Sequence, residues 1–408
     1  MALRPWIRGT ALLLVSSLLI GAGLVNAGDW TQFRGADTSS VAIDAKPPTA
    51  WSDTDKVAWK VDLPGRGLSG PIIVKGKVYL TASTGPNQDR LHLFCFDDAT
   101  GKKLWERQFW ATGRTMCHEK MCNATPTPAS DGERIFAFFS SNDLICTDLD
   151  GNLQWFRGLT YDYANASNSL GMSSSPIVIG KTLVVQVEND SESFAAGLDV
   201  ETGKNRWKID RPVLANWTSP SLAKDGDKPV ALLLSGEGLD AVEPDTGKIV
   251  WSFKDGGSSI PSSTAAGKLV LAPSKGGLTA LQVDSGTTSL KPAWSTSKLA
   301  PSTPSPVVVG DKVFTVNRAG VLTCGNLADG ETKWQLRLKG PFSGTPVVAN
   351  GHLYLFSEGG LGQVVKIGDE AGELVSSHDF QETILCTPAI AGNGLYVRSD
   401  KHLWKIAE

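Results

Sequence analysis

The stretch Cys117-His118-Glu119-Lys120-Met121-Cys122 holds the densest set of chemically capable side chains in the sequence. Two thiols five residues apart in an irregular segment can form a local disulfide, or stay as free thiols. One His between two Cys is too few ligands for a zinc site, and the segment lacks the Cys-x-x-Cys-His pattern of haem attachment. Cys95, Cys146 and Cys324 take the place that Ala280 holds in LTALQVD, a small apolar slot in a strand, and Cys386 reads as core filler too. The five His, at 92, 118, 352, 378 and 402, have no metal-ligand spacing. A Gly-x-Ser-x-Gly elbow, a His-Glu-x-x-His helix and a phosphate-cradling loop are all missing. No residue pattern argues for catalysis, and none fixes a cofactor or a metal.

A second group of residues suits recognition. Trp110, Arg114, His118, Lys120, Tyr161, Tyr163, Asn165, Asn168, Arg211 and Trp217 fall in unusually long connections, residues 109–124, 158–172 and 210–217. Aromatic, Arg and amide side chains are the mixture that protein interfaces favour, and long ordered loops carry function more often than scaffold does. Trp110, Arg114, His118, Tyr161, Tyr163, Asn168, Arg211 and Trp217 are therefore read as partner-binding loop residues for a protein or an extended peptide. Exposed Trp and Tyr leave carbohydrate as a further ligand class.

Such loops need a rigid frame, and the frame is legible as a repeat. A turn ending in Gly recurs at Gly101, Gly151, Gly203, Gly247, Gly286, Gly330 and Gly372, with spacings of 50, 52, 44, 39, 44 and 42 residues. Trp follows most copies, at Trp105, Trp155, Trp207, Trp251 and Trp334, with Trp294 set further along by a longer turn. Upstream of each turn, Ser or Thr stands close to Pro before an apolar run, as in TPTPA, SSPIVI and PSPVVV; eight copies occur. Each repeat holds four short runs rich in Val, Ile, Leu and aromatics, bounded by turn residues, which predicts strands. Four-stranded units at this period predict an all-β, eight-bladed β-propeller of antiparallel blades. The last repeat stops after three strands, while VAWKVDL near the front has no repeat of its own and carries Trp59 in the outer-strand place. Pairing residues 57–63 with the final unit completes the eighth blade and removes the open edges. Trp59, Trp105, Trp155, Trp207, Trp251 and Trp334 are expected to dock between sheets.

The chain has 408 residues, 41% of them hydrophobic and 20% charged, a globular composition. Arg4 and Arg8 precede an apolar run from Ala11 to Val25, and Val25-Asn26-Ala27 suits a signal peptidase, so residues 1–27 read as a signal peptide. The run is short for a spanning helix and no Cys follows it, so a periplasmic or extracellular protein, not a lipoprotein, is expected. Loss of that segment removes two Arg and no acid, taking the formal charge from −3 to −5 and disfavouring a nucleic-acid partner. Residues 28–54 are then an N-terminal extension and 55–408 the propeller, a monomer without a transmembrane segment.

The D-x-x-T-G-K-x-x-W signature resembles the repeat of BamB-like and quinoprotein alcohol dehydrogenase-like (PQQ-repeat) propellers. Trp30-Thr31-Gln32-Phe33-Arg34-Gly35, with residues 125–139 and 192–207, is similar to exported BamB-like proteins of planctomycete-type bacteria. The resemblance covers about residues 30–408 and implies the eight-bladed fold. It further implies a partner in outer-membrane protein assembly, or alternatively a dehydrogenase holding pyrroloquinoline quinone on an aromatic floor at the axis. Calcium would then be bound by carboxylate and amide oxygens, with an Asp as base.

Overall fold

In the computed structural model, which describes residues 1, 28–167, 169–284 and 286–408, eight four-stranded antiparallel sheets form the wheel. The leader region, residues 2–27, lies outside the described residues. Blade 1 consists of Ile72–Val74, Lys77–Thr84, Arg90–Asp97 and Lys103–Trp110, and the remaining blades follow the same inner-to-outer order. Blade 8 is built from Ala389–Ala391, Gly394–Arg398 and His402–Ile406, with Val57–Asp62 as its outermost strand. Trp59 lies opposite Lys405 and Val61 opposite Leu403, so the expected closure is present.

The repeat signature has a packing cause. Within blades 1 to 4 and 6 the docking Trp faces a small residue on the neighbouring strand: Trp105 faces Cys95, Trp155 faces Cys146, Trp207 faces Gly197, Trp251 faces Ala241 and Trp334 faces Cys324, while Trp59 faces Lys405. A Cβ on Gly197 would lie 2.2 Å from the Trp207 indole nitrogen, so the slot excludes larger residues. The indoles of Trp59, Trp105, Trp155, Trp207, Trp294 and Trp334 reach across to the next blade's turn. Trp59 packs on Gly101 and Trp105 on Gly151, glycines whose φ of 70° and 82° a side chain would resist. The Trp59 Nε1–H donates to Asp98 O at 2.8 Å and that of Trp105 to Leu149 O at 3.1 Å. Burying one such ring is worth roughly 4–6 kcal/mol in transfer free energy. Trp294, set further along the chain by its longer turn, still reaches the docking place. It faces Ala280 and donates to Leu327 O of blade 6, with the same bulge after the small residue as in blades 1 to 4 and 6. The longer turn instead affects the blade before it: Trp251 is buried, yet its Nε1 has no partner among the described residues.

The Ser/Thr-Pro motif also acquires a role. Pro71, Pro128, Pro176, Pro220, Pro306, Pro346 and Pro388 immediately precede inner strands, where a residue without N–H costs no ladder bond. The hydroxyl residue before the proline, or in blade 5 Ser262 just after Pro261, accepts the N–H of the preceding blade. Gly70 N donates to Thr127 Oγ1, Thr127 N to Ser175 Oγ and Ser175 N to Ser219 Oγ. The series continues through Ser262, Ser305, Thr345 and Thr387, at 2.9–3.1 Å throughout. Seven hydroxyls thus run round the axis, and only blade 1 carries Gly70 instead.

Residues 30–46 cross the axis and bond to every blade. Trp30 exchanges two backbone bonds with Ile73 of blade 1, and Thr31 O accepts from Ser130 N of blade 2. Gln32 Oε1 accepts from Val178 N of blade 3, and Thr38 Oγ1 from Leu222 N of blade 4. Arg34 donates to Ser263 O and Thr264 Oγ1 of blade 5 and to Pro306 O before blade 6. Ser40 and Ala42 pair with Val348 of blade 7, and Lys46 N donates to Asn393 of blade 8. Most of these bonds fall three residues beyond the hydroxyl ring, which along a strand is roughly 10 Å deeper. The segment is an axial plug.

Candidate functional site

Above the plug lies a cavity of about 430 Å³ on the axis. Its wall contains Thr127, Ser175, Ser219, Ser262, Ser305, Thr345 and Thr387 of the hydroxyl ring, together with Phe33 from the plug. His118, Lys120, Leu170, Trp217 and Ile260, from the loops leaving blades 1 to 4, also line it. This volume falls in the range of small-ligand pockets, roughly 300–1,000 Å³. The plug turns the channel into a blind cavity whose mouth opens on the loop-bearing face.

The mouth is held by bonds between loops. Lys120 Nζ lies 2.8 Å from Glu358 Oε2, joining the loop after blade 1 to a loop of blade 7. Ser343 Oγ donates to Glu358 Oε1 at 2.8 Å. The Trp217 Nε1–H donates to Gly171 O at 3.0 Å, and His118 N to Leu170 O at 2.9 Å. These bonds fix the long loops that the sequence analysis singled out.

The structure separates the expected recognition residues into three places. His118 and Trp217 meet at the cavity. Trp110 and Tyr161 are 61% and 80% exposed on the surrounding face, and the Arg90 guanidinium lies 4.0 Å over the Trp110 ring. Arg114, nearby, contacts the Met116 sulfur. Tyr163 and Arg211 turn inward: the Tyr163 ring sits 4.3 Å from that of Phe194, and its hydroxyl accepts from Asn205 Nδ2. Arg211 is buried between Glu188 and Asp240, donating to Glu188 Oε1 at 2.7 Å and Leu233 O at 3.0 Å. It joins blades 3 and 4 and offers no surface to a partner. Asn168 lies outside the described residues.

Electrostatics under the loops follow burial first. Burial pushes the Glu188 carboxyl above its usual range, although Arg211 opposes it. Burial acts on Asp240 in the same sense, but there Arg211 and Lys254 win and hold its carboxyl low. Cys117 and Cys122 are free thiols, not the local disulfide that their spacing allowed. Cys117 Sγ points to Thr115 O and Ser140 Oγ, whereas Cys122 is buried over Thr125. Burial raises both thiols, Cys122 to about 11, which makes them poor nucleophiles.

The hydroxyl ring, Phe33, Arg34 and Glu358 were not singled out as site residues from sequence. The recurrent Ser or Thr before Pro was the available signal for the ring. Glu358 sits in a short loop of blade 7 and had none.

The family model of the outer membrane protein assembly factor BamB matches residues 27–226, 197–295 and 289–361. The chain belongs to the BamB family. No curated protein matches the sequence. Among solved structures, BamB from Moraxella catarrhalis is similar at a TM-score of 0.63 and 16% identity, covering 86% of this chain and 99% of that one. Quinohemoprotein alcohol dehydrogenase from Comamonas testosteroni aligns at 0.69 and 12% identity, covering 93% and 80%. A europium-containing methanol dehydrogenase aligns at 0.65 and 14% identity, covering 91% and 89%. At these identities the dehydrogenases share the fold with this BamB-family chain.

The axial residues do not fit a calcium-held quinone. Calcium takes 6–8 oxygen ligands, several of them carboxylates. The cavity offers one carboxylate, Glu358, whose two oxygens are engaged by Lys120 and Ser343. Among the described residues no group of three His, Cys, Asp or Glu is placed to hold a metal, and no helix is long and apolar enough to cross a membrane.

Proposed function

We propose that this BamB-family propeller is an exported, non-enzymatic docking protein that binds another polypeptide on its loop-bearing face, in the service of outer-membrane protein assembly. One observation carries this reading. Among the exposed apolar side chains, Trp110 ends the outer strand of blade 1, and Met116, Tyr161, Leu170, Val213, Leu214 and Ile260 lie in the connections leaving blades 1 to 4, Leu170 and Ile260 in the cavity wall; Leu104, Leu153, Ile249, Leu374 and Val375 are spread over outer strands. Apolar groups gathered on one rigid face and rimmed by Arg and Lys have the composition of a protein interface. Family membership supports the assembly role, and the leader-like residues 1–27 support export.

The test is replacement of Trp110 and Arg114 together by Ala. Affinity for the native partner, captured from the cell envelope with the tagged protein, falls more than about tenfold while thermal stability stays nearly unchanged. A collapse in stability with unaltered binding would assign both residues to the scaffold.

A further inference from the structure

The seven ring hydroxyls are each at least nine-tenths buried, and each accepts a backbone N–H from the neighbouring blade. None of them donates to any group among the described residues. Their O–H bonds therefore remain unspent in the wall of the axial cavity, seven donors facing one space. A buried donor is satisfied only by an acceptor. The acceptors already there are spoken for, since Glu358 is held by Lys120 and Ser343.

The shape adds a second constraint. Phe33 and the plug close the far end, so no chain can pass through and only an end of something can enter. Of the two ends of a polypeptide, the ammonium is a donor without acceptor capacity, and the carboxylate is acceptor-only. The ring selects the carboxylate, and hydrogen bonds to an ionised acceptor are the strong ones. The Lys120 ammonium, 54% exposed at the mouth, supplies the only cationic group of the lining. Between ring and mouth the wall is apolar, with Trp217, Leu170, Leu385 and Ile260.

We propose that the axial cavity captures the carboxy-terminal end of a polypeptide, the terminal carboxylate on the hydroxyl ring and apolar last residues against Phe33 and Trp217. The proposal rests on the loop-bearing face being a docking surface, and it names the part of the partner that enters.

Peptides randomised over their last four residues are offered to the purified protein in two pools, free acid and carboxamide, and binding is followed by fluorescence anisotropy. The free-acid pool yields binders at least tenfold tighter than the carboxamide pool. Phe33→Trp, which fills the floor, weakens them tenfold or more. Ser262→Ala with Ser305→Ala does the same, and Ser262→Thr with Ser305→Thr restores binding; the Thr pair keeps the ring bonds and shows whether a loss reflects folding. Lys120→Gln, an exposed change, lowers affinity threefold or more. Equal binding of acid and amide pools, no binding of either, or indifference to Phe33→Trp overturns the proposal. Any of these combined with partner capture that still depends on Trp110 and Arg114 leaves the docking face standing and removes only the carboxylate.

Discussion

Arg34 and Arg398 are both 1% exposed, and they sit in opposite circumstances. Every nitrogen of Arg34 in the plug is bonded: Nε to Ser40 Oγ, Nη1 to Ser263 O, Nη2 to Thr264 Oγ1 and Pro306 O. Arg398, at the seam between blades 8 and 1, bonds Ser69 through Nη1 alone, and its Nε and Nη2 have no partner among the described residues. The seam is where Gly70 interrupts the hydroxyl ring, and Gly67 leaves the room for Arg398, since a Cβ there would lie 1.7 Å from Nη2. The plug end of the axis is complete within the chain. The cavity end keeps donors unspent, and that is where binding energy from outside can be added.

The largest test of this contrast replaces each arginine by Met. Arg34→Met leaves the buried Ser263 carbonyl without a donor, at about 1–3 kcal/mol, and removes the bonds to Ser40 Oγ and Thr264 Oγ1, at about 0.5–1.5 kcal/mol each, while Pro306 O keeps the Thr264 hydroxyl; urea denaturation shows a loss of about 2–6 kcal/mol. Arg398→Met also removes two unpartnered donors, and the net loss stays below about 1 kcal/mol. Equal losses would erase the distinction between the two ends.

A smaller effect tests the buried charge under the loops. Asp240 has its carboxyl held low in the folded state by Arg211 and Lys254, so its contribution is present above the unfolded carboxyl value near 3.9 and is lost as pH falls below it. Glu188, raised by burial, acts with the opposite sign. Asp240→Asn lowers stability at pH 7 by about 1.5–3 kcal/mol and flattens the acid side of the stability–pH curve. An unchanged acid limb would show that the loops rest on packing alone.

The smallest effect lies at the rim of the wheel. Trp207→Phe gives up the bond from Nε1 to Pro244 O, 2.6 Å long, and costs about 1 kcal/mol, while Trp251→Phe removes a donor without a partner among the described residues and is close to neutral. Thermal unfolding of the two variants side by side checks the difference.

What the sequence made legible was local. Turn glycines, the Trp that follows them and the small residue opposite all lie within about 15 residues of one another, and the blade is a short-range object. The eightfold closure was legible because an unfinished repeat at one end matched an orphan strand at the other. The hydroxyl ring was visible only as a motif, because each bond joins residues 40–57 positions apart in chain order. Arg211 read as a surface group because its partners lie 23 and 29 residues away, Glu188 just past one strand and Asp240 in another. The plug was invisible for the same reason at larger scale, with Arg34 bonding residues 229 to 272 positions distant. Periodicity reports what repeats, and an axial segment of a wheel occurs once.

That placement sets a clock on biogenesis. Residues 30–62 leave the ribosome before every blade they serve, and Val57–Asp62 has nothing to zip onto until His402–Ile406 exists. At about 5–20 residues per second the wait is on the order of 20–70 s, spent with an apolar strand and a future plug in water. Deleting the last seven residues takes away that anchor, so a cut at the tail unfastens the head.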